Sequence, residues 1–343
     1  MTPERILVTG SSNIDLILRI PRFHHPGETI LSENLVAAFG GKGANQAVAS
    51  KRLGGKVIFL TRLGHDPYGE SYRQYLIRNG FDQKWILRDR KHPTGMALIE
   101  VAPRGENRII VSPGANRSLL GPDLKRLGPL WKEVKVFVTQ MEIPLSTVEE
   151  GLKIARERGV LTLLNPSPPI RLPCRTLSMV DFIVPNESEA QTLTGIRMKG
   201  DRSIREMARN LINKGAKNVV ITLGSRGLFF KNRNEEIRME AFKVRTVDTT
   251  AAGDAFMGAL ACGLCEGRSI EETLRFANGA GALATTELGA QPSLPRRKEL
   301  KEFLLKSRAT HPPLIILNKK LEKGDSDKTK AVKDAQREGV FTG

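Results

Sequence analysis

Residues 134–165, VKVFVTQMEIPLSTVEEGLKIARERGVLTLLN, decide the fold. A β-branched apolar run (VKVFVTQ, 134–140) gives way to a segment whose apolar residues recur at helical spacing, and a second run (VLTLLN, 160–165) follows. Two strands joined through a helix lie parallel, because the crossover returns the chain to the end of the sheet from which it left. The alternation extends outward, to VIFLT (57–61) upstream and to FIVPN (182–186) and NVVITLG (218–224) downstream. The expectation is an α/β protein built on a doubly wound, mainly parallel sheet. Three helix starts carry Ser followed three residues later by Glu: Ser146 with Glu149, Ser203 with Glu206, and Ser269 with Glu272. Each reads as a capping box.

Two stretches, about 13–39 and 84–112, break the pattern. Within the second, GMALIEVAPRGENRIIVS (95–112) reads as a hairpin around Arg104-Gly105-Glu106-Asn107. Strands without helices of their own must cover something or be covered. A small β-sheet lid over the C-terminal edge of the main sheet, where ligands of open α/β sheets bind, satisfies both conditions and also offers a dimer contact. One domain is expected over residues 1–308. After about Ser307 the text turns to KKLEKGDSDKTKAVKDAQREG (319–339), charged and without a sustained apolar face, so residues 309–343 are expected to form a flexible charged tail.

Composition excludes several classes. With 343 residues, 40% hydrophobic and 27% charged, the chain is neither disordered, collagenous nor a coiled coil. No run reaches the ~18–20 apolar residues of a membrane span, and MTPERILVTG lacks a signal-peptide pattern. A cytoplasmic protein is expected. Of three cysteines, Cys262 and Cys265 form a C-x-x-C with no second pair or nearby His, which suits small helix residues better than a zinc set. His24 and His25 have no metal-ligand company and belong to a surface loop. The formal net charge of +17 favours anionic partners such as phosphorylated metabolites, nucleic acid or acidic membranes. The basic residues are dispersed and only 5% of residues are aromatic, so no stacking platform for single strands is visible and nucleic acid is not the expected partner.

The chemistry concentrates in two small-residue turns. In Val247-Asp248-Thr249-Thr250-Ala251-Ala252-Gly253-Asp254 the small residues open a helix, leaving backbone N–H groups unshielded at a positive helix end. Asp254 stands in the first turn, where a carboxylate can accept a proton beside a bound anion, or simply stabilise the helix. In Phe39-Gly40-Gly41-Lys42-Gly43-Ala44-Asn45 the glycines allow close backbone approach, while Lys42 and Asn45 supply a charge and an amide. A Walker A loop is excluded, since Gly43 stands where Ser or Thr is required. The strand-end loop Thr222-Leu223-Gly224-Ser225-Arg226-Gly227 suits a ligand or a plain turn. Gly279–Ala284 fits G-x-G-x-x-A but follows a helix, which argues against a dinucleotide fingerprint. Asn186 and Glu189, at another strand end, either organise Mg²⁺ through water or cap the helix. Together these segments make phosphoryl transfer the leading reaction class.

GGKGANQAVA (40–49) and DTTAAGDAFMGAL (248–260) closely resemble the two signature segments of the ribokinase-like (PfkB) sugar kinases, and the likeness runs from about Arg5 to Lys306. GSSNIDLI (10–17), PGET (26–29), SPGAN (112–116), NPSP (165–168), PNESEAQTLTG (185–195), TLGSRG (222–227) and GAQPS (289–293) extend it in order. Many members carry Gly where this chain has Ala251, and the Ala251-Ala252 pair is similar to the ribokinase branch. The resemblance implies transfer of the γ-phosphoryl group of ATP to the O5 hydroxyl of D-ribose, with Asp254 as base and the amides of Ala251, Ala252 and Gly253 as an anion hole. It implies sugar contacts from Asn13, Asp15, Gly41, Lys42, Asn45, Glu142 and Asp254, with Asn13 accepting through its carbonyl. Asn186, Thr222, Gly224, Ser225, Gly227 and Asn278 match the ATP site. Asp248, Thr250, Ala284, Glu287, Gly289 and Ser293 match the ligand positions of a K⁺ ion, although Glu287 replaces a basic residue and Asn278 a His. A homodimer through the lid is implied as well. The alternatives are a related kinase acting on deoxyribose, a nucleoside or another sugar, and a non-catalytic nucleic-acid-binding or regulatory protein on the same fold.

Overall fold

The computed structural model describes residues 4–103, 106–310 and 315–319. Its large sheet contains β1 (Arg5–Thr9), β4 (Lys56–Gly64), β5 (Ile86–Asp89), β8 (Val134–Gln140), β9 (Leu161–Asn165), β10 (Phe182–Ile183), β11 (Asn218–Thr222), β12 (Leu228–Lys231), β13 (Glu235–Met239) and β14 (Ile315–Lys319). The order is β14-β13-β12-β11-β10-β9-β8-β1-β4-β5. From β11 to β5 every pairing is parallel, and β12, β13 and β14 add an antiparallel edge. The strands expected from the sequence are all present.

Ten helices flank the two sheets among the described residues: α1 (Lys42–Arg52), α2 (Pro67–Arg78), α3 (Gly121–Lys125), α4 (Leu145–Glu157), α5 (Cys174–Leu177), α6 (Glu187–Thr194), α7 (Asp201–Asn213), α8 (Ala252–Glu266), α9 (Ile270–Ala284) and α10 (Arg297–Thr310). The continuous apolar runs of the strands are what burial on both faces requires, since successive side chains point to opposite sides. In β1, Ile6 and Val8 join the core shared with α1, α8 and α9, while Leu7 joins the opposite core with Leu152 of α4 and Leu211 of α7. In β8, Val136 and Val138 take the first side and Phe137 the second.

The chain runs from β1 outward to β4 and β5, then returns to place β8 on the other side of β1. Order therefore reverses at the β1–β8 boundary, and the loops beyond those two strand ends diverge to leave a crevice. Over it lies a second sheet of order β3-β2-β6-β7, made of β2 (Asn13–Arg19), β3 (Asn34–Gly40), β6 (Gly95–Val101) and β7 (Asn107–Ser112). Asn13 and Asp15 share one face of that sheet with Gly40, Ala38, Gly95 and Ala97, and the same face continues into Val36, Ile109 and Val111. Arg104 and Gly105, at the expected turn between β6 and β7, lie outside the described residues.

Several expectations need correction. The second excursion enters the small sheet at Gly95, because Ile86–Asp89 pairs with β4 as the edge of the large sheet. Within the expected tail, α10 continues to Thr310 and Ile315–Lys319 pairs with β13. Ile315, Ile316 and Leu317 precede the charged stretch, and the backbone there pairs with the edge that β13 would otherwise leave open. Residues 320–343 of that tail lie outside the described residues. Of the three Ser-Glu pairs only Ser269 caps its helix, accepting from Glu272 N while Glu272 reaches back. Helix α4 starts earlier, at Leu145, because Pro144 sets the entry and its carbonyl accepts from Thr147 and Val148. Helix α7 opens after Gly200, and Ser203 inside it bonds back to the Gly200 carbonyl at 2.6 Å. Cys262 is buried and burial pushes its thiol up to about 12, while Cys265 Sγ donates to Glu4 O at 3.2 Å. Among the described residues no group of three His, Cys, Asp or Glu side chains is arranged for a metal, and no helix is long and apolar enough to cross a membrane.

Candidate active site

Helix α8 begins on an unusual residue. Ala251, its N-cap, has φ 59° and ψ 9°, the left-handed region that L-residues with a Cβ avoid at a cost of roughly 1–2 kcal/mol. It is the only non-glycine residue with positive φ among those described. This turn brings Ala252 and Gly253 to the helix end, and a Cβ built on Gly253 meets nothing within 4 Å. The helix end is thus uncovered beside Gly253 at its positive pole, while Ala252 N donates to Thr249 O at 3.3 Å.

Asp254 follows within the same turn but points inward, 8% exposed. Asn45 Nδ2 donates to its Oδ2 at 3.0 Å and Gln46 Nε2 to its Oδ1 at 3.0 Å, both from α1, which packs against α8. The close approach of the two helices depends on Gly258, where a Cβ would lie 2.8 Å from Ser50 N. Burial raises the proton affinity of Asp254, opposed by Lys42 and the two amide donors and reinforced by Glu142. The net direction is upward, toward a carboxylate able to take a proton.

On the opposite wall, the loop after β1 and the start of α1 interlock. A Cβ on Gly43 would lie 2.5 Å from Gly10 C, and one on Gly41, at φ 90°, would lie 2.7 Å from Asn13 N, so glycine is required at both. Glu142, just past β8, accepts at Oε2 from Ser11 Oγ at 2.5 Å and from Lys42 N at 3.2 Å. Asp15 is pushed up to about 7, first by burial and then by Glu142 and Asp254. Burial lowers Lys42, but Asp254, Glu142, Glu189 and Asp15 together outweigh it and hold the ammonium above its usual range. Asn13 Oδ1 accepts from Asn116 Nδ2 at 2.7 Å, which uses one of the two acceptor sites of that oxygen. Phe39 stacks on Tyr72 at 4.5 Å, and Tyr72 donates to Gly40 O, which fixes the turn leading to Lys42.

The expected nucleotide residues gather beyond β10 and β11. Asn186 and Thr222 pair across an isolated parallel bridge. Asn186 Oδ1 accepts from Glu189 N, and Asn186 N donates to Glu189 Oε2, so the capping reading of this pair is realised. One oxygen of buried Glu189 is taken by the cap, yet its charge still acts on Lys42, which places it toward the same crevice. Gly224 and Ser225 form an exposed turn, and Gly227, at φ 87°, packs on the backbone of Met239 to Ala241. Asn278 joins this cluster by donating to Glu240 O at 2.7 Å.

Three of the six expected cation positions, Asp248, Thr250 and Gly289, are joined by hydrogen bonds. Asp248 Oδ1 accepts from Thr250 N and Oγ1, and its Oδ2 from Gly289 N at 2.8 Å, tying the 248–250 loop to the segment after α9. These bonds hold its carboxyl below the usual range against the effect of burial. Ala284 and Ser293 are buried beside it in the chain and Glu287 is exposed. An all-oxygen set with two carboxylate residues, Asp248 and Glu287, suits a hard cation. Sequence reading missed Gln46, Ser11, Gln140 and Asn165, whose roles follow from neighbours distant in the chain. The available signal was Gln46 directly after Asn45 in the first glycine turn.

The arrangement is a buried carboxylate, a buried ammonium and a helix N-terminus, groups chemically suited to phosphoryl transfer to a hydroxyl. Comparison with known proteins agrees. Residues 3–297 match the family model described as pfkB family carbohydrate kinase. The chain is 40% identical over 301 residues to the ribokinase of Haemophilus influenzae, covering 88% of this chain and 98% of that one. It is 34% identical to the deoxyribokinase of Salmonella typhi, over 87% of this chain and 98% of that relative. The Arabidopsis thaliana ribokinase complexed with ribose and ATP superposes with a TM-score of 0.81 at 32% identity, covering 89% of this chain and 99% of that one.

Proposed function

The chain belongs to the pfkB family of carbohydrate kinases, and we propose that this ATP-dependent sugar kinase takes D-ribose and yields D-ribose 5-phosphate. The observation that carries the reading is the buried Asp254 carboxylate, held by two amides in the first turn of α8. The O5 hydroxyl gives its proton to Asp254 as its oxygen bonds to the γ-phosphorus. The bond from that phosphorus to the β-phosphate oxygen breaks, ADP leaves with the electron pair, and Asp254 later returns the proton to water. The amides of Ala251, Ala252 and Gly253 receive charge on the migrating group, and Lys42 offsets it. Asp15 accepts from sugar hydroxyls and Asn13 contacts them, with Gly41, Asn45 and Glu142 shaping the pocket. ATP lies along Asn186, Thr222, Gly224, Ser225, Gly227 and Asn278.

Asn186 and Glu189 would hold Mg²⁺ through water, in keeping with the scarcity of direct carboxylate ligands, and the ion would neutralise phosphate charge. Asp248, Thr250, Ala284, Glu287, Gly289 and Ser293 would hold K⁺, largely through carbonyls, and stabilise the loop that presents Ala251. The exposed apolar residues Leu35, Val36, Ile109, Ile110 and Val111 on the small sheet support a homodimer through the lid. Three free thiols suit the cytoplasm.

A coupled ADP-release assay over a sugar panel, with and without K⁺, tests the reading. D-ribose should be the best acceptor, and Asp254→Asn should lower kcat by roughly 10²–10⁴ with little change in KM. The match to a deoxyribokinase favours 2-deoxyribose as the second acceptor. Preference for that sugar, or for a nucleoside, would replace the assignment, and absence of ADP release with every sugar would overturn it.

A further inference from the structure

Gln46 lies between Asp254 and the ends of β8 and β9 and is completely buried. One of its N–H groups donates to Asp254 Oδ1 at 3.0 Å and the other to Asn165 Oδ1 at 3.1 Å. Its Oε1 accepts from Gln140 Nε2 at 2.6 Å. The direction of each amide follows from the far end of this chain of contacts. Val184 O can only accept, so Asn165 must present Nδ2 to it, as it does at 3.1 Å. That leaves Asn165 Oδ1 facing Gln46, which must therefore turn Nε2 toward both Asn165 and Asp254. Gln46 Oε1 then requires a donor, and Gln140 supplies one.

Gln140 makes a sacrifice to do so. Its Oε1 is buried without a hydrogen-bond partner, in the space a Cβ of Gly10 would fill. A buried unpaired carbonyl is costly and is tolerated where the structure over-determines it. Here the ordered amide is what fixes Gln46. If the function of Gln46 were packing alone, no ordered run of amides ending on Asp254 would be needed.

We propose that Gln46, itself oriented by Gln140 and Asn165, is a positioning residue for the Asp254 carboxylate during phosphoryl transfer. The inference rests on the reading of Asp254 as base. Asn45 holds the other carboxylate oxygen, so Gln46 and Asn45 together fix the plane of the group while leaving it charged and aimed at the acceptor hydroxyl. A donor to the charged form also favours that form, and its loss makes the base harder to keep deprotonated. The other ionisable groups acting on Asp254 are Lys42 of α1, Glu142 beyond β8, Asp15 of β2 and Tyr72 of α2, with Glu189 of α6 acting through Lys42. All remain in place when Gln46 or Gln140 is replaced.

The test is the pH profile of kcat for Gln46→Met and Gln140→Met beside the wild type, with D-ribose and ATP saturating and folding checked by thermal melting. Gln46→Met should move the acid limb upward by about one pH unit, a ~tenfold loss below it and little loss above, with KM for the sugar within about twofold. Gln140→Met should shift it in the same direction by less. Equal loss at every pH, or an unmoved limb, overturns the proposal, because both describe a residue that only packs. Should Gln46→Met fail to fold, Gln140→Met decides by the same criterion. Failure of the underlying reading looks different: a wild type that releases no ADP, or Asp254→Asn with full kcat, removes the base itself.

Discussion

Asp15 illustrates how one buried side chain, proposed to bind the sugar, costs stability. Its carboxyl is raised to about 7 from an ordinary 3.8, so between those values the folded protein keeps a proton that the unfolded chain releases. Stability falls as pH rises through this window, and the full cost, on the order of a few kcal/mol, is present above about pH 7. Asp15→Asn should therefore melt higher than the wild type at pH 8, and the gap should close toward pH 4, while sugar binding is lost. A lower melting temperature for the variant at pH 8 would contradict this. Ala251 carries a cost of a different kind. Ala251→Gly removes the left-handed strain and adds chain entropy of similar size, so stability should stay within about 1 kcal/mol and turnover should persist. Ala251→Val, whose branched Cβ cannot adopt φ 59°, should lower both by more, as urea midpoints and kcat would show. The residues in the two glycine turns were legible because their spacing is local. Gln140 and Asn165 were not, since their meaning comes from the ends of separate strands meeting α1, and no local pattern encodes that meeting.

At the scale of elements, the strands were readable from apolar runs alone, because a strand buried on both faces has little else to offer. Helix starts were less so. Ser followed by Glu occurs at three sites, but the preceding residue decides whether Ser becomes the cap: Pro144 and Gly200 start their helices before the serine is reached. The energetic consequence is measurable. Ser269→Ala should cost about 1 kcal/mol in urea unfolding, whereas Ser146→Ala, at an internal helix position, should change stability by less than about 0.5 kcal/mol. Equal effects would mean that the cap geometry does not govern α9. The lid boundary was placed too early because nothing local in Ile86–Asp89 separates it from the strands that follow, and only its pairing with β4 assigns it to the large sheet.

For the whole molecule, the small sheet presents apolar residues with no cover: Ile110 is 67% exposed and Leu35 61%, and β7 is exposed along its length. Patches of this kind mark association surfaces. Ile110→Glu with Leu35→Glu should convert a dimer to a monomer by light scattering, with the melting temperature of the large sheet little changed. An unchanged mass would remove the lid from the interface. Only three residues, Gly10 to Ser12, separate β1 from β2, so the hood above the crevice is spun from the strand that ends at its floor. Asn13 and Asp15 belong to that hood. Under the proposed function part of the sugar's grip is thus carried by the roof and not by the floor, and any displacement of the hood would displace those two side chains with it.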